Sequence, residues 1–184
     1  MKQKLHILFA IAVILMGLTA CQKSTKDQLV GTWHCVKTLT IDGGTMRFEC
    51  TNTNNEDGTY SGVANAICTF DTEYEGVNVQ VKMGISIKDS GEWTVNDKEI
   101  VTTPTSVGIK VTSLRYYDPS DDSFIGELTG NELKEASNAF ADEIKEGLLE
   151  ASTERIIILK DNKYVTESTD EDGGKTTFTY NRLK

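Results

Sequence analysis

The chain has little histidine, little proline and no apolar run as long as a bilayer is thick. Of its 184 residues only His6 and His34 are histidines. His6 falls in the leader segment discussed below, which leaves His34 as the one imidazole that could serve as a general base or ligand. A lone histidine on a predicted strand suits a surface or edge position. No Gly-x-Ser-x-Gly elbow, His-Glu-x-x-His helix or phosphate-cradling glycine loop occurs, so no catalytic residues are assigned and an enzyme is not expected. The four cysteines, Cys21, Cys35, Cys50 and Cys68, include no Cys-x-x-Cys pair. No metal site and no cofactor are therefore expected. The two prolines, Pro104 and Pro119, leave long stretches free to form uninterrupted strands.

The longest apolar run, Leu5 to Met16, holds twelve residues, and a helix needs about 20 to span a bilayer. Lys2 and Lys4 precede it, and Gly17-Leu18-Thr19-Ala20 leads from it to Cys21. A basic start, a short apolar core and small residues at its end are the features of a signal peptide, residues 1–20. Leu18-Thr19-Ala20-Cys21 resembles the lipobox of bacterial lipoproteins, whose cysteine sulfur takes a diacylglycerol before cleavage. That resemblance implies export, lipid attachment at Cys21 and a membrane partner through the lipid. The competing reading is an ordinary signal peptide with a chance cysteine. Acyl chains on one residue in pairs or triplets hold a protein stably where a single chain would not.

Cleavage before Cys21 removes two lysines and no acid, so the formal net charge goes from −9 to −11 over the 164 residues that remain. So acidic a surface repels phosphate backbones and anionic head groups, which argues against nucleic acid as a partner. Residues 21–28 read as the lipidated cysteine and a short polar tether. Some surface-displayed lipoproteins of Bacteroidetes carry an acidic cluster here. This chain has Lys23, Lys26 and only Asp27, so the membrane face stays open, with the outer membrane as the expected site in the cell envelope.

From Leu29 the pattern is that of a β protein in one domain, 29–184. Leu29 to Ile41 is a predicted strand, Asp42-Gly43 suits a two-residue hairpin turn, and Thr45 to Thr53 returns. Thr59 to Phe70 is a third strand. Val77, Val79, Val81, Met83, Ile85 and Ile87 then alternate with polar residues and glycine, which predicts one buried and one wet face. Asp89-Ser90-Gly91 reads as a turn before a strand around Trp93. Ile100 to Thr103 is extended, and Val107, Ile109 and Val111 alternate before the apolar parity moves to Leu114 and Tyr116, the mark of a bulge. Phe124 to Leu128 is a short strand. Leu133, Ala136, Phe140, Ile144 and Leu148 form one helical stripe in a predicted helix from Asn131, its N-cap, to about Ala151. The stripe can bind a partner or pack on the sheet, and packing is the simpler use. Ile156 to Lys160, Tyr164 to Ser168 and Thr176 to Arg182 close the chain. Roughly ten short strands with hairpin connections and one late helix predict a mostly β, antiparallel up-and-down barrel.

Gly31-Thr32-Trp33 resembles the Gly-x-Trp motif that opens lipocalins and related calycin barrels. With Asp57-Gly58-Thr59-Tyr60 and Gly91-Glu92-Trp93 following in that order, the chain is similar over about 29–184 to the lipocalin-like lipoproteins of Bacteroidetes. The resemblance implies a barrel with Gly31, Trp33 and Trp93 in structural roles and a basic side chain from the chain's end across the first indole. Antiparallel pairing of first and last strands brings Arg182 beside Trp33, with Arg155 as second candidate, and a cation–π contact is expected. The chain departs from the eight-strand pattern by two extra predicted hairpin strands and a longer helix.

A two-residue turn at Asp42-Gly43 pairs Ile41 with Gly44 and so sets Cys35 opposite Cys50. In an oxidising compartment a Cys35–Cys50 disulfide is the first expectation. Cys50–Cys68, or three buried thiols, are the alternatives. The acid-rich loops Asp118–Asp122 and Asp170–Asp172 could meet calcium. The second, however, places Thr179 where an EF-hand needs its bidentate glutamate, and solvated hairpin tips explain both. Three functions remain: a binding barrel for a small apolar ligand lined by Val79, Val81, Met83 and Ile85, an envelope interaction module with a filled core, and an enzyme, which would need convergent polar groups inside a cavity.

Overall fold

A computed structural model describes residues 24–184 apart from Asp42, Glu75, Asp97 and 170–172. The leader, Cys21 and the acid run Asp170–Asp172 lie outside the described residues. Part of the expected tether is helical. Ser24 caps a one-turn helix α1 (Thr25–Leu29), its hydroxyl accepting from the Asp27 N–H at 3.1 Å while the Asp27 carboxylate accepts from the Ser24 N–H at 3.2 Å. This reciprocal capping box satisfies two amides that a lone turn would leave open. The turn serves to deliver Leu29, fully buried, into the barrel.

Nine strands follow: β1 (Gly31–Ile41), β2 (Gly44–Asn54), β3 (Thr59–Tyr74), β4 (Val77–Asn96), β5 (Glu99–Tyr117), β6 (Phe124–Glu127), β7 (Ser152–Lys160), β8 (Lys163–Thr169) and β9 (Lys175–Arg182). Helix α2 (Gly130–Leu148) stands between β6 and β7. All pairings are antiparallel. Eight strands close a ring in the order β1-β2-β3-β4-β5-β7-β8-β9, with β9 returning to β1, while β6 only extends the outer edge of β5. The fold is thus a mostly β, closed up-and-down barrel of the lipocalin-like kind.

The surplus strands expected from the sequence do not exist as separate elements. Asp89-Ser90-Gly91 is not a turn, because β4 runs through it for 20 residues. The polar residues lie at a register shift between Ser90 and Gly91, where Thr105 of β5 is left out of the pairing. A second shift lies opposite Gly84 and Ile85, leaving Thr112 unpaired between Val111 and Leu114. Two bulges in one strand turn its inward set from Ile100, Thr102 and Pro104 to Val107, Ile109 and Val111, then to Leu114 and Tyr116.

Strand length divides the barrel. β3, β4 and β5 have 16, 20 and 19 residues, whereas β7, β8 and β9 have 9, 7 and 8. The two seams joining the long and short sides are brief. β1 meets β9 only at Trp33↔Arg182 and His34↔Asn181, and β5 meets β7 only over Glu99–Thr102. Beyond them the long strands continue as a curled sheet whose inner face α2 covers. Helix α2 starts one residue before the expected Asn131 cap. Thr129 is the N-cap, without a side-chain hydrogen bond, and Gly130 at φ 56° makes the turn. Its stripe packs Leu133 and Phe140 onto the sheet, and Ser137 Oγ accepts the Val111 N–H at 2.9 Å. No residue of α2 is fully buried.

Candidate functional site

The closed end is built around Trp33. Its indole N–H donates to the Leu29 carbonyl at 2.7 Å, which also accepts from Asn54 Nδ2 at 3.2 Å. Trp93 donates in the same way to the Asn55 carbonyl at 3.1 Å. Over the Trp33 ring lies the Arg182 guanidinium, its carbon 4.1 Å from the centroid. Arg182 also donates Nε to the Asp161 carbonyl at 2.6 Å, Nη1 to the Val30 carbonyl at 2.7 Å and Nη2 to the Gln28 carbonyl. One side chain thereby ties the entry of β1 to the end of β9. Gly31 makes room for it: with φ at 128°, a Cβ there would stand 2.4 Å from Arg182 Nη1. Arg155, the other candidate, sits on exposed β7 opposite Glu99 and Glu167.

Above this plug the closed ring of strands surrounds a cavity of about 280 Å³. Its walls come from seven strands: Asn52 and Asn54 of β2, Tyr60 of β3, Asp89 of β4, Ile100, Thr102 and Pro104 of β5, Ser152 and Glu154 of β7, Tyr164 of β8 and Tyr180 of β9. The C-terminal turn of α2, Gly147 and Leu148, together with Glu150, forms the rim. Gly62, buried between β2 and β4, keeps the wall open. A Cβ there would stand 2.2 Å from Asp89 Oδ1 and 2.9 Å from Asn52 Oδ1.

Three acids, three tyrosines and two asparagines line this space, and among the described residues no basic side chain does. The volume is near the lower end of ordinary ligand sites, about 300 Å³. Glu154 is the innermost acid. Thr166, fully buried on β8, donates its hydroxyl to Glu154 Oε2. Burial raises the Glu154 carboxyl above its usual range, and the Thr166 hydrogen bond opposes that only in part. Tyr164 and Tyr180 stack at 4.4 Å with their planes 14° apart, and Tyr164 meets Trp33 edge-on at 4.7 Å. Burial first, and then the Glu154 charge, push both phenols well above their usual value. Burial and then the Asp89 charge do the same to Tyr60. All three phenols are therefore neutral at physiological pH and keep their O–H groups.

Val79, Val81, Met83 and Ile85, expected to line an apolar ligand site, line no part of this cavity. They are 3–9% exposed and belong to a second core cluster with Ala66, Cys68 and Val111, against which Leu133 and Phe140 pack. The correction has a simple cause. Periodicity shows that a face is buried, and here a helix rather than a ligand covers it.

Cys35 and Cys50 are register partners across β1 and β2. Cys35, Cys50 and Cys68 are all buried and free thiols in this structure, with the expected pair Cys35 and Cys50 held directly opposite each other. The interaction of the two facing thiols lowers Cys35 and raises Cys50, and burial raises Cys68. His34 lies outside the barrel, its Nε2 2.9 Å from Glu49 Oε1. In the Asp118–Asp122 loop, Asp118 accepts from the Ser120 amide and hydroxyl at 2.8 and 2.6 Å, and Asp122 takes the Lys82 ammonium at 2.7 Å.

The polar cavity had a faint signal in the sequence. Asn52, Asn54, Asp89, Thr102, Glu154 and Thr166 each hold an inward place among apolar neighbours, an anomaly that a register assignment exposes. Compared with known protein families and with curated protein sequences, the chain matches none.

Proposed function

We propose that the protein is a lipid-anchored, lipocalin-like lipoprotein of the bacterial cell envelope, held to the outer membrane through Cys21, whose barrel binds a small molecule. The observation that carries the binding half is the cavity of about 280 Å³ inside the closed ring. It is walled by side chains from seven strands, too polar for a core and too well enclosed for a surface dimple. The membrane half rests on the basic leader, the twelve-residue apolar core and Leu18-Thr19-Ala20-Cys21. Non-enzymatic binding is the simpler reading of the polar groups, since no nucleophile is paired with a base among them. The apolar cargo expected for the inward aliphatic face gives way to a polar one, because Leu133 and Phe140 of α2 pack against that face.

Two experiments test the halves separately. Cells making the full chain are fractionated, and Cys21→Ser should move the protein from the membrane to the soluble envelope fraction. An unchanged distribution removes the lipid anchor. Native mass spectrometry of the full chain, extracted in mild detergent, should show a retained small mass that denaturation releases. A bare mass that no envelope extract changes favours a second reading, an interaction module. The exposed Tyr74, Val77, Phe124 and Ile125 at the far end of the long strands would serve that role.

A further inference from the structure

We infer that the ligand of the barrel cavity is a compact organic ammonium ion, held by the Glu154 carboxylate and the Tyr164 and Tyr180 hydroxyls. This inference rests on the binding-barrel reading above and names its ligand class. Tyr164 and Tyr180 are 4% and 7% exposed, and both line the cavity. No hydrogen bond joins either phenol oxygen to a described residue, and no buried side-chain oxygen among these residues is left without a partner, so both hydroxyls open onto the cavity. Buried phenols normally find partners, so these two hydroxyls take theirs from whatever occupies the cavity. Glu154 is in the same condition. Thr166 occupies Oε2, and Oε1 has no donor among the described residues.

Charge decides which ligand completes them. The lining holds Asp89, Glu150 and Glu154 with no lysine, arginine or histidine. An anion would enter against three carboxylates. A neutral polyol could satisfy the hydroxyls but would leave an enclosed carboxylate uncompensated, which costs several times more than an unmet neutral group. An ammonium group donates up to three hydrogen bonds and accepts none, matching a set of oxygens that can all accept. The rim adds to this bias. Gly147 and Leu148 present the C-terminal end of a 19-residue helix, where the macrodipole is negative. The wall beside the oxygens is aromatic, and tyrosine faces attract cations over alkyl chains.

The test uses n-butylamine, 1-butanol and butyrate, which share a shape and differ in charge. Saturation-transfer NMR is run at neutral pH on the full-length lipoprotein in detergent. The amine should bind at least tenfold tighter than the alcohol, and butyrate should not bind. Glu154→Gln should weaken the amine at least tenfold, and Tyr180→Phe several-fold. Both variants preserve shape, and each is checked for native-like circular dichroism. Alcohol or butyrate binding as well as the amine overturns the assignment. So does amine binding that both variants leave unchanged, because the charge of the protein's surface alone would then explain it. No binding of any of the three, with a retained cargo still seen by native mass spectrometry, sinks the ammonium class and leaves the binding barrel standing. Absence of both signals sinks both.

Discussion

The two ends of the barrel solve the problem of an interior in opposite ways. At the closed end eight strands converge on Trp33 and Trp93, and the space above them is polar. At the far end the long strands present an aliphatic face, and helix α2 packs Leu133 and Phe140 onto it. Among the described residues Phe48 alone packs against both clusters. The difference shows that an apolar inward face marks where the protein packs against itself. Where polar groups interrupt that face, space is left open.

The largest effect expected from breaking this contrast is at the closed end. Trp33→Ala removes the ring beneath Arg182 and the Leu29 hydrogen bond, and should cost about 3–5 kcal/mol in urea unfolding. Collapse of cavity binding should accompany it. A loss below about 1 kcal/mol would mean that the plug is dispensable. Oxidation ranks next. Cys35 and Cys50 face each other across adjacent strands and close a 14-residue interval, so a disulfide formed in an oxidising compartment should add about 3 kcal/mol. Peptide mapping under non-reducing conditions should find Cys35 joined to Cys50 and not to Cys68. A Cys50–Cys68 link would instead require the β2–β3 register to slip, since Cys68 pairs with Met46.

At the far end Phe140→Ala should cost about 1–2 kcal/mol, less than a core aromatic, because the ring is only half-buried on the sheet. It should leave cavity binding intact. A parallel loss of binding would show that the two ends are one cooperative unit. The smallest effect is the most diagnostic. Glu154 holds its proton more tightly folded than unfolded, so its contribution favours the fold below the usual carboxyl value near 4.5 and fades as pH rises through and above it. Glu154→Gln should remove that slope and raise neutral-pH stability, even as it weakens ligand binding. Thermal midpoints of both proteins from pH 4 to pH 8 would show it. Parallel curves would mean that Glu154 titrates as an ordinary exposed acid.

Most of the fold was legible because local chemistry set it. The two-residue turn expected at 42–43 sets Ile41 opposite Gly44, and the strands do pair there, which carries Cys35 to Cys50. The parity shift after Val111 is a real bulge at Thr112. Asp89-Ser90-Gly91 misled for a related reason: polar residues with a glycine make good turns, but they also make good bulges, and only the partner strand distinguishes the two. The candidate site was less legible. Glu154 and Tyr180 are 26 positions apart, on strands β7 and β9 that lie either side of β8, and neither carries a local signature.

The sequence by itself determined the strand periodicity, the pairing of neighbours in hairpins, the glycine before Trp33 and the acidic balance. These follow from side-chain alternation, turn stereochemistry and charge, all of which act over a few residues. Tertiary structure alone decided that α2 occupies the aliphatic end, that Arg182 fills the space beside Gly31, and that Glu154, Tyr164 and Tyr180 share one cavity. The reason is that burial is a property of a face, whereas what covers the face depends on where distant strands and the helix come to rest.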